Sequence, residues 1–115
     1  MTPGHLDRRV QFLRLTLSND EFGPSEVWYG DERDNHGSRV WAKKTEVSDG
    51  ERWRAGEVAA HVTSRFLVRW SSFTAGLTPK DRLICEGRTY DIVGIKETEG
   101  RRQWLEITAA ARIDQ

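Results

Sequence analysis

The histidines and the single cysteine are the residues of this chain best suited to metal binding or nucleophilic catalysis. His5, His36 and His61 lie in three separate segments, without a ligand spacing such as HxH or HExxH. Cys85 lies in an apolar run, which predicts a small core residue, because a reactive thiolate needs a neighbouring base. These residues predict no catalytic centre and no metal site.

The acidic residues and glycines also lack the spacing of a known cofactor site. Asp31, Glu32 and Asp34 could hold a divalent cation weakly, but the EF-hand pattern is absent. The glycines at positions 87, 94 and 100 fit turns and a bulge, and they do not form the phosphate-binding pattern GxGxxG. We therefore expect a protein that is not an enzyme and needs no cofactor.

Basic residues recur along one face of a predicted strand, where Arg65 and Arg69 share their parity with His61. A nucleic-acid-binding sheet would place aromatic rings among these charges, whereas Phe66 and Trp70 have the opposite parity. This favours a solvated face with cross-strand ion pairs. A small nucleic-acid-binding or oligosaccharide-binding barrel stays an alternative.

Charge and composition limit the classes of protein. Lys plus Arg and Asp plus Glu both total 18, so the basic excess typical of a nucleic-acid-coating protein is absent. No stretch approaches the roughly 18 apolar residues of a membrane span, and residues 1–11 do not resemble a signal peptide. A length of 115 residues suits one domain, residues 1–115.

The clearest element is a long strand over residues 58–70. Its even positions, among them Phe66, Val68 and Trp70, are mostly apolar, and its odd positions are mostly polar. This alternation predicts a strand with one buried face. Thirteen residues would span about 43 Å, roughly twice a usual strand, so we expect a bulge, a barrel or an overhang.

Two segments before this strand are predicted to project from the domain. Ser48 and Glu51 form a capping box, which predicts a short helix over residues 49–57. Residues 25–38 combine a short apolar patch with a run of charges that has nothing to bury. That second segment is either a solvated loop or a segment that orders against a partner.

The remaining segments predict antiparallel hairpins. Residues 8–17 and 39–47 are predicted strands, and 82–85 pairs with 88–95 through a turn at Glu86-Gly87. The phase change after Ile92 indicates a bulge. A turn at positions 99–100 leads into a strand over 101–111, whose alternation predicts the inward residues Leu105, Ile107, Ala109 and Ala111. Five to six strands with one short helix and long loops predict an all-β fold, a small antiparallel barrel or sandwich.

Several short segments match a family pattern in order and spacing. In chain order they are Gly4 with Leu6, Arg8-Arg9-Val10, Val40-Trp41-Ala42, Gly50-Glu51 with Ala55, Arg69 with Thr78-Pro79 and Arg82-Leu83-Ile84, Gly87 to Ile92, and Arg101 to Ile107. Together they resemble the head–tail joining, or head-closure, proteins of tailed bacteriophages and related gene-transfer particles. Residues 27–39 depart from the pattern because they are longer and more charged.

The resemblance implies a small β-barrel that forms a ring, dodecameric in the particle, beneath the portal. Such a ring seals the DNA-filled head and offers the tail a platform. The implied partners are other copies of the chain, the portal or adaptor protein above, a tail-completion or tail-terminator protein below, and the packaged DNA end. The implied location is the virion, after assembly in the host cytoplasm, and no membrane is involved. A tail-completion or tail-terminator ring is the alternative.

Contact residues between subunits are predicted from the tryptophans and from the family motif. Trp28, Trp53 and Trp104 lie outside the clearest apolar parity, and buried aromatics dominate interface energies. Gly50, Glu51 and Ala55, together with Trp53, match the family motif by position, and Asp49 and Arg54 in the same segment are also predicted contact residues. Whether the motif segment lines the channel or touches a neighbour stays open, and each tryptophan could instead make a local contact.

Overall fold

The computed structural model describes residues 6–47, 63–98 and 100–111. In these ranges the chain forms eight strands and two short 3-10 turns. The strands are β1 (Arg8–Leu13), β2 (Thr16–Asp20), β3 (Gly23–Val27), β4 (Val40–Glu46), β5 (Thr63–Arg69), β6 (Arg82–Cys85), β7 (Arg88–Thr98) and β8 (Trp104–Ala111); the turns are Glu32–Asp34 and Thr74–Gly76. No helix in the described ranges is long and apolar enough to span a membrane.

Six of the described strands close into a barrel in the order β1-β4-β5-β8-β7-β6. All neighbouring strands are antiparallel, and β1 closes the barrel by pairing with β6, from Val10 opposite Cys85 to Leu13 opposite Arg82. Closure pairs backbone groups that an open sheet would leave at its edges. The predicted all-β antiparallel fold is confirmed, and of the two predicted forms, barrel or sandwich, the described strands form the barrel.

The first predicted strand is wrong in its extent. Residues 8–17 do not run as one strand, because the chain leaves the barrel at Arg14 and Leu15. Strands β2 and β3 then form a separate two-stranded sheet, turned at Glu21 and Phe22. The chain from Ser18 to Asp20, expected to end a strand, pairs with β3, and residues 25–27 belong to that strand rather than to a loop.

The two long excursions of the chain each connect strands that are neighbours in the barrel. Residues 14–39 join β1 to β4, and these strands pair through Arg9 and Trp41. Residues 47–62 join β4 to β5, which pair from Ala42 opposite Val68 to Glu46 opposite Ser64. The barrel order therefore does not depend on the path that either excursion takes.

The core consists of one parity from each barrel strand. Its largest fully buried side chains include Tyr90, Phe12 and Phe66, and the rings of Phe66 and Tyr90 meet edge to face at 5.2 Å. The predicted inward residues of the last strand, Leu105, Ile107, Ala109 and Ala111, all belong to this cluster. That strand begins at Trp104 rather than at position 101, because positions 101–103 form the turn.

The long strand over residues 58–70 is described only in part. Strand β5 covers Thr63–Arg69, with Phe66 and Val68 fully buried, which confirms the alternation there. Trp70 follows the strand and packs against the core. The predicted overhang, residues 58–62, and the predicted helix, residues 49–57, lie outside the described residues.

The two predicted irregularities of the β6–β7–β8 meander are confirmed. Glu86 and Gly87 both have positive φ, 54° and 77°, as two-residue hairpin turns require. The register of β7 against β8 shifts between Ile92 and Gly94. Val93 is consequently 54% exposed, although its type would suit the core.

A buried carboxylate fixes the point where the chain leaves the barrel. Asp81 is 3% exposed, and it accepts two hydrogen bonds from Arg14, of 3.0 and 2.8 Å. It also accepts one from the Thr78 backbone N–H at 2.9 Å. The group therefore joins the start of β6 to the segment between β1 and β2.

We expect Asp81→Ala to lower the free energy of unfolding by about 2 kcal/mol, because it leaves the Thr78 N–H and the Arg14 guanidinium, whose side chain is 40% exposed, without their buried acceptor. Urea denaturation measures the loss. Asp91→Ala is the matched control, since that side chain is 47% exposed and pairs with Arg82 at 3.0 Å; its cost should stay below about 1 kcal/mol. Equal losses for the two variants would contradict the assignment.

Cys85 is 1% exposed, which confirms the predicted core residue. Burial raises the pKa of its thiol above the ordinary 9.0, and the Glu86 carboxylate adds to the rise. The folded state therefore holds this proton more tightly than the unfolded state does. The resulting stabilisation is complete at neutral pH and is lost as the pH rises past 9.0 towards the folded-state pKa.

The pH range from about 8 to about 10 brackets the pKa of an ordinary thiol. Across it, the free energy of unfolding should fall more steeply in the wild type than in Cys85→Ala. Denaturation midpoints across this range give the comparison.

Thiol labelling of the folded wild type should also be at least roughly 100-fold slower than labelling in urea. Rapid labelling of the folded chain would contradict the buried position.

Candidate interaction surfaces

Most of the predicted contact residues lie outside the part of the chain that the structure describes. These residues are Asp49, Gly50, Glu51, Trp53, Arg54 and Ala55. Their role in contacts therefore stays a prediction. Two other predicted contact residues, Trp28 and Trp104, are described.

Trp28 lies against its own barrel. The guanidinium of Arg82 lies 4.1 Å from the centre of the Trp28 ring, and its Nε donates a hydrogen bond to Asp91 at 3.0 Å. The ring is half-buried and lines a cavity of about 330 Å³ between the loop after β3 and strands β6 and β7. A local contact thus occupies part of the ring, and only the remainder is available to a partner.

Trp104 offers even less surface. Its parity points away from the core cluster, as predicted, yet the side chain is only 7% exposed. The guanidinium of Arg69, on the neighbouring strand, lies 5.2 Å from the ring centre. Trp104 is therefore covered within the subunit.

The charged segment after β3 is not simply a solvated loop. Asp34 is 3% exposed, and its carboxylate accepts hydrogen bonds from the backbone N–H groups of Tyr29 and Gly30, at 3.0 and 2.8 Å. One acidic residue thus satisfies two donors that the loop would otherwise leave unpaired. The expectation that this segment has nothing to bury is wrong at Asp34.

The same segment is attached to the end of β1. The backbone of Arg14 donates to the Asp34 carbonyl at 2.9 Å, and that of His36 donates to the Phe12 carbonyl at 2.8 Å. The His36 ring lies 5.0 Å from the Phe73 ring, which accounts for this histidine as a packing residue. The order of the segment is therefore intrinsic to the subunit.

Two of the three acidic side chains considered for a cation, those of Asp31 and Asp34, are engaged elsewhere. Arg33 pairs with Asp31 at 2.7 Å, and its hydrogen bonds hold the pKa of Asp31 below its usual range. Asp34 serves the backbone. Over the described residues, no group of three or more His, Cys, Asp or Glu side chains could hold a metal ion.

The β2–β3 hairpin carries exposed apolar surface that the sequence analysis did not identify. Leu17 is 72% exposed, and Phe22, in the turn, is 90% exposed. A two-stranded hairpin is marginally stable alone, and this one is held at its base by Arg14 and by a Lys80–Glu26 pair at 3.8 Å. Phe22 lies at the end of this projection and Leu17 near its base, and exposed apolar groups on a projection are typical of protein contact surfaces.

Arginine and tryptophan alternate across the outside of four neighbouring strands. Arg9 of β1 lies 4.9 Å from the Trp41 ring of β4, and Arg69 of β5 lies against Trp104 of β8. Trp41 is 50% exposed. Stacking of successive bases needs several open rings, and Trp104 is covered, so this Arg–Trp row favours a protein contact.

A cavity of about 370 Å³ opens beside the Arg–Trp row. Among the described residues it is lined by Leu6, Val40, Trp41 and Arg69. Its walls are thus largely apolar, and its charged lining residue is basic. Its lining residues on β4 and β5 come together only through the pairing of these two strands, which the pattern of a single segment does not encode.

Residues 1–112 match a family model described as phage head completion protein. Two solved structures share the fold. The solution structure of protein SF1141 from Shigella flexneri 2a is 24% identical, with a TM-score of 0.72 and 100% of both chains covered. A chain from the virion of a native gene transfer agent particle is 24% identical, with a TM-score of 0.62, covering 94% of this chain and 96% of that one. No curated protein matches.

Asp34→Ala should release the segment after β3. We expect amide exchange at Tyr29 and Gly30 to accelerate by at least roughly 100-fold, because both N–H groups lose their acceptor. Hydrogen exchange read by NMR provides the measurement. Asp31→Ala is the control, because the Asp31 carboxylate bonds to Arg33, and loss of that carboxylate should leave the Tyr29 and Gly30 amides protected. Unchanged exchange in Asp34→Ala would contradict the role assigned to Asp34.

Proposed function

This chain belongs to the phage head completion protein family, and we propose that it is a ring-forming connector subunit between the portal or adaptor and the tail. In that position the ring closes the DNA-filled head and gives the tail a platform. The observation that carries the proposal is the family match over residues 1–112. The likeness of fold to a chain of a gene transfer agent virion supports it.

The surfaces of the subunit suit this role. A ring is built from head-to-tail contacts, which use two different patches of the same chain. The β2–β3 hairpin and the cavity beside Trp41 are two such patches. The remaining faces are then available to the portal or adaptor on one side and to a tail-completion or tail-terminator protein on the other.

Charge and chemistry point in the same direction. The chain has 18 basic and 18 acidic residues, which suits protein partners better than a DNA coat. Salt bridges on the described surface, such as Lys96–Glu106 at 3.5 Å and Arg8–Glu86 at 3.0 Å, already pair part of this charge. We place the subunit, dodecameric in the particle, at the head–tail interface of the virion, assembled in the host cytoplasm with the DNA end near its channel.

Deleting the gene for this chain from the genome that encodes the particle should yield heads that package DNA and then lose it, with tails left unattached. Electron microscopy and the DNA content of purified heads give the readout, and expression of the wild-type chain should restore both. Filled heads bearing tails of abnormal length would instead indicate a tail-terminator ring. Normal particles would contradict any connector role.

Copy number tests the ring separately. Quantitative mass spectrometry of purified particles should find the chain in about the same number as the portal subunit, as a closed symmetric ring stacked on the portal requires. A matched measurement on the major tail protein calibrates the count. One or two copies per particle would rule out a ring.

A further inference from the structure

We propose that Phe22, at the end of the β2–β3 hairpin of one copy, inserts into the cavity beside Trp41 of a neighbouring copy. This inference rests on the proposed ring, and it names the contact that builds it. The hairpin end is a projection, and the cavity is a recess lined by Leu6, Val40, Trp41 and Arg69. Both belong to the same chain, as a head-to-tail contact requires.

The two parts fit in size and polarity. Phe22 is 90% exposed, so it does not fill the cavity of its own chain. The cavity, at about 370 Å³, is within the range of pockets that enclose small molecules, and it can therefore admit one aromatic side chain. Covering Phe22 and the open half of Trp41 would remove two large apolar surfaces from water.

The charges around the two parts are opposite. Glu21 precedes Phe22 in the hairpin turn and is exposed. On the recess, Arg69 lines the cavity and the Arg9 guanidinium lies 4.9 Å from the centre of the Trp41 ring. An acidic projection and a basic recess attract each other and orient the encounter. This complementarity favours a second copy over a partner of unknown surface.

The positions on the barrel also suit a chain of contacts. The hairpin is anchored through Asp81, next to β6 on one side of β1. The cavity lies over β4 and β5, which follow β1 on its other side. Because projection and recess lie on different flanks, each copy can give one contact and receive another, so the assembly can propagate and close into a ring.

A mixing experiment with two variants of the full-length chain tests the contact. Phe22→Ala removes the side chain that inserts and leaves the cavity intact. Trp41→Glu places in the cavity a negative charge that repels Glu21 of the neighbour, and it leaves Phe22 intact. Each variant alone should self-associate roughly 30-fold more weakly than the wild type, as for a central aromatic contact. The mixture should form a one-to-one dimer and stop, because only one competent contact exists. Sedimentation velocity at protein concentrations up to about 1 mM measures the size of each assembly.

Val93→Ala is the matched control, since Val93 is exposed, apolar and outside both parts; it should associate like the wild type. A mixture that stays monomeric, or a wild type that stays monomeric at on the order of 1 mM, overturns the proposal. So does equal weakening by the control. Far-ultraviolet circular dichroism of each variant separates loss of contact from loss of fold.

A photo-reactive benzoylphenylalanine at position 22 gives a second, independent measurement. In a mixture of isotopically light and heavy chains, crosslinked peptides should join position 22 of one copy to the segments containing Leu6 or Trp41 of the other. Crosslinks elsewhere, including to portal or tail proteins in particles, overturn this contact. The gene-deletion phenotype would then still stand, so failure of this contact is distinguishable from failure of the proposed function.

Discussion

The pairing of β1 with two partners is the constraint on which the rest of the structure depends. Its first half pairs with β4 around Arg9, and its second half pairs with β6 up to Leu13. Without these two pairings the sheet would stay open and expose two edges. Because β6 begins at Arg82, opposite Leu13, the pairing with β1 ends there, and the chain leaves the barrel where Arg14 is held by Asp81. The position of the projecting hairpin therefore follows from the closure of the barrel.

The sequence was most informative where one strand alone determines its own burial. Alternation identified the inward faces of β5 and β8, because each inward side chain meets the same core along the whole strand. Turn chemistry located Glu86-Gly87 because positive φ has a residue preference. Alternation could not reveal that Leu17 leaves the barrel, since an apolar residue has the same type in a core strand as in a projecting one. Burial of Asp34 was equally hidden, because its partners are backbone groups.

The candidate surface was less predictable than the fold for a related reason. Tryptophan type alone suggested contact anchors, but Trp28 is half-buried beneath Arg82 of the same subunit, and Trp104, beside Arg69, is only 7% exposed. Phe22 and Trp41 are the more exposed aromatic residues, and they lie apart, one in the turn of the β2–β3 hairpin and the other on the outside of β4. Cross-strand register, which no single segment encodes, decides which rings are covered.

Both long excursions join strands that are adjacent in the barrel, and this has a consequence for how such a protein can diversify. Lengthening a loop costs free energy only slowly, about 0.6 kcal/mol for each doubling, and neither excursion must cross the sheet. Insertions, deletions or wholesale replacement within positions 16–27 can therefore accumulate while the six barrel strands keep their register, since the attachments at Arg14 and at residues 34–36 stay in place. A lineage could exchange one docking partner for another by recombining this single stretch of coding sequence, with the barrel inherited unchanged.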